Sequence, residues 1–315
     1  MHPPLSIVFF TTSSGAGFGL LTLLGLSAPL GLLPPNEGFG CVALAVAGFF
    51  AAGGLGSSVF HLGRPERAWR AFSQWRSSWL SREGILAMLT LLAAAIFGLG
   101  WVLFSATQGL IGLCGLVTAG LAAATIYCTG MIYASLRPIH QWHNHWVVPN
   151  YFALALMSGC LVLDLLIRLW SGRYAGIALL TLIVVLVAWW MKERYWELID
   201  TTSARSTVAS ATSLGSRGRV RMIESPHTEE NYLLKEMGFR IARKHRRELR
   251  RIARLVGFVV PGFASALGLL LGGVAGGIVA GLGVASATLG LVAERWLFFA
   301  EAKHTVILYY GADAA

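Results

Sequence analysis

A chain of 315 residues that is 56% apolar and only 13% charged, with a mean hydropathy of +0.65, carries about half the charge of a soluble domain. That excludes a disordered chain, a nucleic-acid-binding domain and an ordinary soluble enzyme, and it predicts an all-α integral membrane protein. The net charge is nevertheless +10, so 25 Lys and Arg residues must be accommodated at particular places.

In chain order, Met1-His2-Pro3-Pro4 lacks the basic region of a signal peptide, so the first apolar segment is expected to remain as a span. Eight segments are long enough to cross about 30 Å of hydrocarbon, at roughly 20 residues each. They cover residues 6–33, 40–61, 83–104, 109–133, 148–170, 174–192, 254–272 and 275–294, and the whole sequence, 1–315, reads as one membrane domain. The last two form one continuous apolar run, with the turn expected at Gly272, Gly273, Gly276 and Gly277. Gly268–Gly272 and Gly277–Gly281 have the small-xxx-small spacing that lets helices approach closely, although plain glycine richness is an equal alternative. Cys41, Cys114, Cys128 and Cys160 all lie in apolar runs without a C-x-x-C, so no iron–sulfur or zinc site is expected in this chain.

Between the sixth and seventh spans lies a long basic insert, 193–253. Thr201 to Ser225 reads as irregular loop. Glu229 to Arg254 reads as a basic helix, with Leu233, Met237, Ile241 and His245 repeating every four residues. It is either a docking surface for a partner or a solvated helix attracted to anionic lipid.

Charge orients the protein. With the N-terminus in the cytoplasm, 23 of the 25 Lys and Arg fall on the cytoplasmic face. Setting aside the 15 in and next to the long insert still leaves eight against Arg168 and Arg173. The expectation is N-in and C-in. Trp69, Trp75, Trp79, Trp142, Trp146, Trp189, Trp190, Trp196 and Trp296 fall on that same face, and only Trp101 and Trp170 on the other. Interfacial Trp normally belts both faces, so the inner face is expected to carry a partner or a site.

No His lies in the middle of a predicted span, which argues against a di-haem cytochrome b subunit. The His140-Gln-Trp-His-Asn-His145 cluster matches no common zinc spacing and reads as an interfacial polar loop. Asp164 and Arg168 have the spacing of a helix ion pair. The densest polar stretch runs from His61-Leu-Gly-Arg-Pro-Glu-Arg-Ala to Ser81-Arg82-Glu83. A His that hydrogen-bonds a quinone oxygen, with a carboxylate as proton relay, is one reading of it. A His at a helix end, with Arg residues anchored to headgroups, is the other. Glu294, Glu301, Lys303 and His304 follow the last span and offer a polar wall on the same face.

The H-L-G-x-P-x-R-A…S-x-E pattern at residues 61–83 resembles the dimethyl sulfoxide reductase membrane-anchor family, as does the tail from Glu294 to His304. Arg137 to Trp146 and the insert with Asn231 to Phe239 look more like the branch that serves cytoplasmic sulfite dehydrogenases. The resemblance implies a subunit of a bacterial inner-membrane oxidoreductase that is not itself catalytic for the main substrate. It implies a quinone, ubiquinone or menaquinone, with no haem or iron–sulfur cluster in this chain. It also implies two partners on the cytoplasmic side, a four-cluster ferredoxin-like iron–sulfur subunit and a molybdopterin catalytic subunit. The family's quinone-site residues fall on His61 and Glu83, with Arg64 beside them. Ser13, Ser14, Tyr127, Tyr133 and His304 are added as polar groups expected to face the slot. Electrons then pass from sulfite oxidation to quinone. The rival readings are a menaquinol-oxidising anchor of an S-oxide, N-oxide or polysulfide reductase, a transporter, and a purely structural anchor.

Overall fold

The computed structural model describes residues 4–34, 36–61, 64–171, 175–202, 206–220, 223–224 and 245–310, with His61 described by its backbone alone. The predicted basic helix falls outside the described residues except for its last part, from His245 on. Eight apolar helices of 22 to 28 residues are each long enough to span a bilayer: α1 (Leu5–Ser27), α2 (Glu37–Ser58), α3 (Trp79–Phe104), α4 (Gly109–Ala134), α5 (Val147–Ser171), α6 (Ala175–Thr201), α7 (Arg246–Gly268) and α8 (Gly273–Ala300).

Local chemistry sets several ends. Asn36 accepts from the Phe39 amide at 3.1 Å to cap α2, and Ser78 accepts from Ser81 to cap α3. The tight α3–α4 connection uses two left-handed residues, Ser105 and Gly109. α7 contains a π turn at Leu255–Val259, immediately before Pro261, whose missing amide removes one helical hydrogen bond.

The helix ends differ from the hydropathy boundaries in an instructive way. α1 stops at Ser27, short of residue 33, as Pro29 and Pro34 interrupt the last predicted turns. α6 continues past 192 to Thr201, and α7 begins at Arg246, eight residues before its predicted start. Hydropathy ends a span at its first charges, but Lys192, Glu193, Asp200, Arg246, Arg250 and Arg254 pair with charges on other helices or the tail, so the backbone has no reason to stop there. The α7–α8 turn does fall at Gly272 and Gly273, whereas Gly276 and Gly277 lie inside α8.

α1 and α5 form the centre, with two thirds of each apolar window buried, against 28% to 39% for the other six. α1 packs on α2, α4 and α5, and α5 packs in turn on α6 and α8. The α1–α5 crossing is a backbone contact: a Cβ on Gly159 would sit 2.6 Å from the Gly19 carbonyl carbon. The predicted Gly268–Gly272 pair serves another purpose. A Cβ at Gly268 would meet the Arg168 guanidinium at 2.8 Å rather than a helix backbone. Arg168 is held by Asp164 at 2.9 Å, and donates to the carbonyls of Gly268 and Leu271 at 2.9 and 3.1 Å. The expected ion pair is therefore also a cap for the carbonyl end of α7.

At the other end of the bundle, the α4–α5 loop, the end of α6 and the tail meet. Ile139 bridges to His304, and Gln141 accepts from the Lys303 amide at 3.0 Å.

Candidate functional site

A cleft opens between α1, α4, α5 and α8, lined by Thr11, Thr12, Ser14, Phe18, Thr129, Tyr151, Ser158, Leu291 and Arg295 among others. Thr12, Ser158 and Leu291 also line an adjoining apolar slot, where Phe9, Ser13, Phe50, Leu161, Val162, Val284 and Val292 take over. The two cavities share these three walls; hydroxyls and a guanidinium line the first, and mostly hydrocarbon lines the second.

Glu83 stands directly behind the polar cleft. It enters the bundle on the second turn of α3, is 3% exposed, and accepts a hydrogen bond from the Thr129 hydroxyl at 2.5 Å. A carboxyl buried this completely in the bundle, near the end of a span, has a substantial desolvation cost, so its placement asks for a reason. Thr129 is shared by the carboxyl and the cleft wall.

On the α8 side, Arg295 lies with its guanidinium 4.1 Å over the Tyr151 ring and its Nε 3.4 Å from Glu294. Glu294 also forms an ion pair with Lys192 of α6, and all three charged side chains are almost completely buried. Lys192 lies over the rings of Tyr195 and Trp196. Arg250 and Arg254 of α7 sit 5.4 and 5.0 Å from the same Trp196 ring. Arg250 reaches Glu301 at 2.8 Å and Asp200 at 2.5 Å, and Arg254 holds Glu193 at 2.6 Å. Burial pushes the Glu301 carboxyl above its usual value, with Arg250 pulling the other way. A band of alternating charges thus runs from the cleft, through the packed ends of α6, α7 and α8, to the half-exposed Asp200.

The sequence-predicted site residues divide around this cleft. Ser14 lines it, and Ser13 lines the adjoining slot while donating to the Phe50 carbonyl at 2.8 Å. Tyr133 is one layer behind, stacked on Tyr151 at 5.8 Å and edge-on to Trp142 and Phe298. Tyr127 faces away, 42% exposed and edge-on to Trp79. Arg64 is exposed ahead of the short helix Pro65–Gln74, and His304 accepts from the Val306 amide in the tail; neither lines the cleft. The His61 side chain lies outside the described residues.

In the 140–145 loop, His140 bonds the Thr202 hydroxyl at 2.9 Å and His143 the Ala134 carbonyl at 2.6 Å. Not all the Trp on this face are headgroup anchors: Trp196 is buried, and Trp142 donates to the Phe298 carbonyl at 2.9 Å. Trp69, Trp75 and Trp190 are exposed.

Sequence reasoning misses Thr129, Tyr151, Arg295 and the Lys192–Glu294 pair. One signal is available: opposite charges closing two apolar runs, Lys192 and Glu294, that find each other only in three dimensions.

Residues 1–266 match the family described as DMSO reductase anchor subunit (DmsC). Over the full length of both proteins, the sequence is 34% identical to a sulfite dehydrogenase subunit of Allochromatium vinosum. It is 26% identical to a polypeptide of the anaerobic dimethyl sulfoxide reductase of Escherichia coli, across 58% of this chain and 65% of that one. No solved structure matches it.

Proposed function

The chain belongs to the DMSO reductase anchor subunit family, and on that premise we propose that it is the quinone-interacting membrane anchor of a molybdopterin/iron–sulfur oxidoreductase that passes electrons from sulfite oxidation to the quinone pool. The sulfite assignment rests on the full-length similarity to a sulfite dehydrogenase subunit. The partial match to a dimethyl sulfoxide reductase polypeptide keeps the reverse direction, quinol oxidation, as the second reading. Direction is set by the potentials of the partners and not by these residues.

The observation that supports quinone chemistry best is the buried Glu83–Thr129 pair against a polar cleft that shares a wall with an apolar slot. Quinone supplies a two-electron, two-proton couple when bound. The protein's part is to hold the headgroup, exclude water and handle the protons. Glu83 holds a proton at a carboxyl oxygen, and Thr129, bonded to it, is the group through which that proton meets the cleft. By resemblance to the family motif we assign His61 to the same site, with Arg64 beside it in sequence but outside the cleft wall, and we place the two partner subunits and the protonic face on the cytoplasmic side.

The test uses the assembled complex. His61→Ala and Glu83→Gln are expected to remove quinone-linked turnover while sulfite oxidation with an artificial acceptor continues. Full quinone turnover in both variants overturns the site assignment, and a complex purified without a molybdopterin subunit overturns the assembly.

A further inference from the structure

We infer that Arg295 is the headgroup donor of the cleft, giving its guanidinium N–H groups to one oxygen of a quinone or quinol whose body lies between α1, α5 and α8. The inference rests on the quinone reading above and names a residue that the sequence motif does not contain.

Arg295 carries five N–H donors in a planar fork and is 4% exposed. Its contacts are the ion pair from Nε to Glu294 at 3.4 Å and the faces of Tyr151 and Phe298. Among the described residues its guanidinium makes no hydrogen bond, although it lines the cleft. The fork therefore reaches the cleft with N–H groups that can donate to an acceptor bound there.

Of the rest of the polar lining, the Tyr151 hydroxyl is the one other group without a hydrogen-bond partner among the described residues. The hydroxyl protons of Thr11, Thr12, Ser14 and Ser158 go to carbonyls of their own helices, and that of Thr129 goes to Glu83. What these groups keep is oxygen lone pairs. The cleft therefore presents one cationic donor, Arg295, one neutral hydroxyl, Tyr151, and a ring of acceptors. That set suits a molecule whose oxygen is a carbonyl in one oxidation state and a hydroxyl in the other.

Charge points the same way. Lys192, Glu294 and Arg295 leave one excess positive charge in a dry site, which favours an electron-rich oxygen and disfavours a cation. The apolar slot beyond Thr12 and Leu291 has the character a prenyl tail requires.

The experiment uses the full complex, freed of endogenous quinone, and measures binding of a short-chain benzoquinone and a short-chain naphthoquinone by thermal shift and fluorescence titration, alongside KM. Loss of a hydrogen bond from a charged donor predicts a Kd raised about 10- to 100-fold in Arg295→Gln. Arg295→Lys keeps the charge but not the fork, and should fall between. Gly15→Leu tests the cleft without touching a buried charge. A Cβ at Gly15 meets only Ala155 Cβ, at 3.9 Å, so the larger side chain enters the cleft rather than a helix interface. It is expected to raise Kd about 10-fold or more, with artificial-acceptor activity reporting intact assembly. With quinone binding intact in the parent, wild-type affinity in Arg295→Gln overturns the assignment of Arg295, and wild-type affinity in Gly15→Leu overturns the placement of the quinone in this cleft. A parent complex that neither binds nor turns over either quinone overturns the functional reading with it.

Discussion

Thr129 on α4 donates its hydroxyl to the buried Glu83 carboxyl on α3, 2.5 Å away. Removing the donor strands an acceptor in hydrocarbon. Thr129→Val is therefore expected to cost about 1–3 kcal/mol of stability, while Thr129→Ser, which restores the hydroxyl, recovers most of it. Thermal unfolding of the detergent-solubilised complex measures both. An unchanged melting temperature in the valine variant would show that the pair contributes nothing to the fold.

Glu294 faces two cations, Lys192 and Arg295, and the three are buried together. Charge arithmetic makes the consequences of removing each unequal. Lys192→Met leaves the Glu294–Arg295 pair intact, with no net charge. Glu294→Gln leaves two cations in a dry site with no anion between them, a change expected to cost about 3–5 kcal/mol. The glutamine variant should lower complex yield and melting temperature well beyond the methionine variant. The reverse order would mean that Arg295 is neutralised by something other than Glu294.

The eight helices are legible in the sequence because a span needs only length and apolarity, and both are local properties. The ends of α6 and α7 are not. Glu193 and Arg254 halt a hydropathy scan, but they bond each other across 61 residues, and only the packed bundle brings them together. The site is legible in the same uneven way. Glu83 stands out because a carboxylate opens a span beside a distinctive motif. Ser14 stands out as a polar group on the right helix. Tyr127 sits six residues before Tyr133 on α4, yet points outward, since that spacing leaves the two about a third of a turn out of phase. Arg295 looks like a helix-end anchor in the sequence, because nothing in its neighbours there says that Tyr151 and Thr129 will share a cleft with it.

α7 and α8 touch through glycine at the π turn. A Cβ on Gly290 would fall well inside van der Waals contact with Gly257, and 2.8 Å from the Val256 carbonyl carbon. Backbone cannot move aside as a flexible side group does, so Gly290→Ala should destabilise by about 1–3 kcal/mol despite alanine's better helix propensity. A Cβ on Gly120 of α4 would have nothing within 4 Å, and Gly120→Ala should be neutral or mildly stabilising. Equal melting temperatures for the two variants would mean that the α7–α8 contact is not close-packed in the membrane.

The uneven placement of cations predicts the orientation. Eight Lys and Arg near short connections fall on the side of the His61–Glu83 motif, against two on the other side. The end of the bundle that gathers the α4–α5 loop, the α6 terminus and the tail is then expected to be the cytoplasmic one. An activity reporter that works only in the periplasm should be silent when fused after Gly311, and active when fused in the α3–α4 connection at Gln108. Helices α4 to α8, an odd number of crossings, separate the two fusions, so this topology requires opposite results. Periplasmic activity after Gly311 would invert the bundle. It would also move the exposed Trp69, Trp75 and the arginines around them to the outer face, where cytoplasmic partners could not reach them.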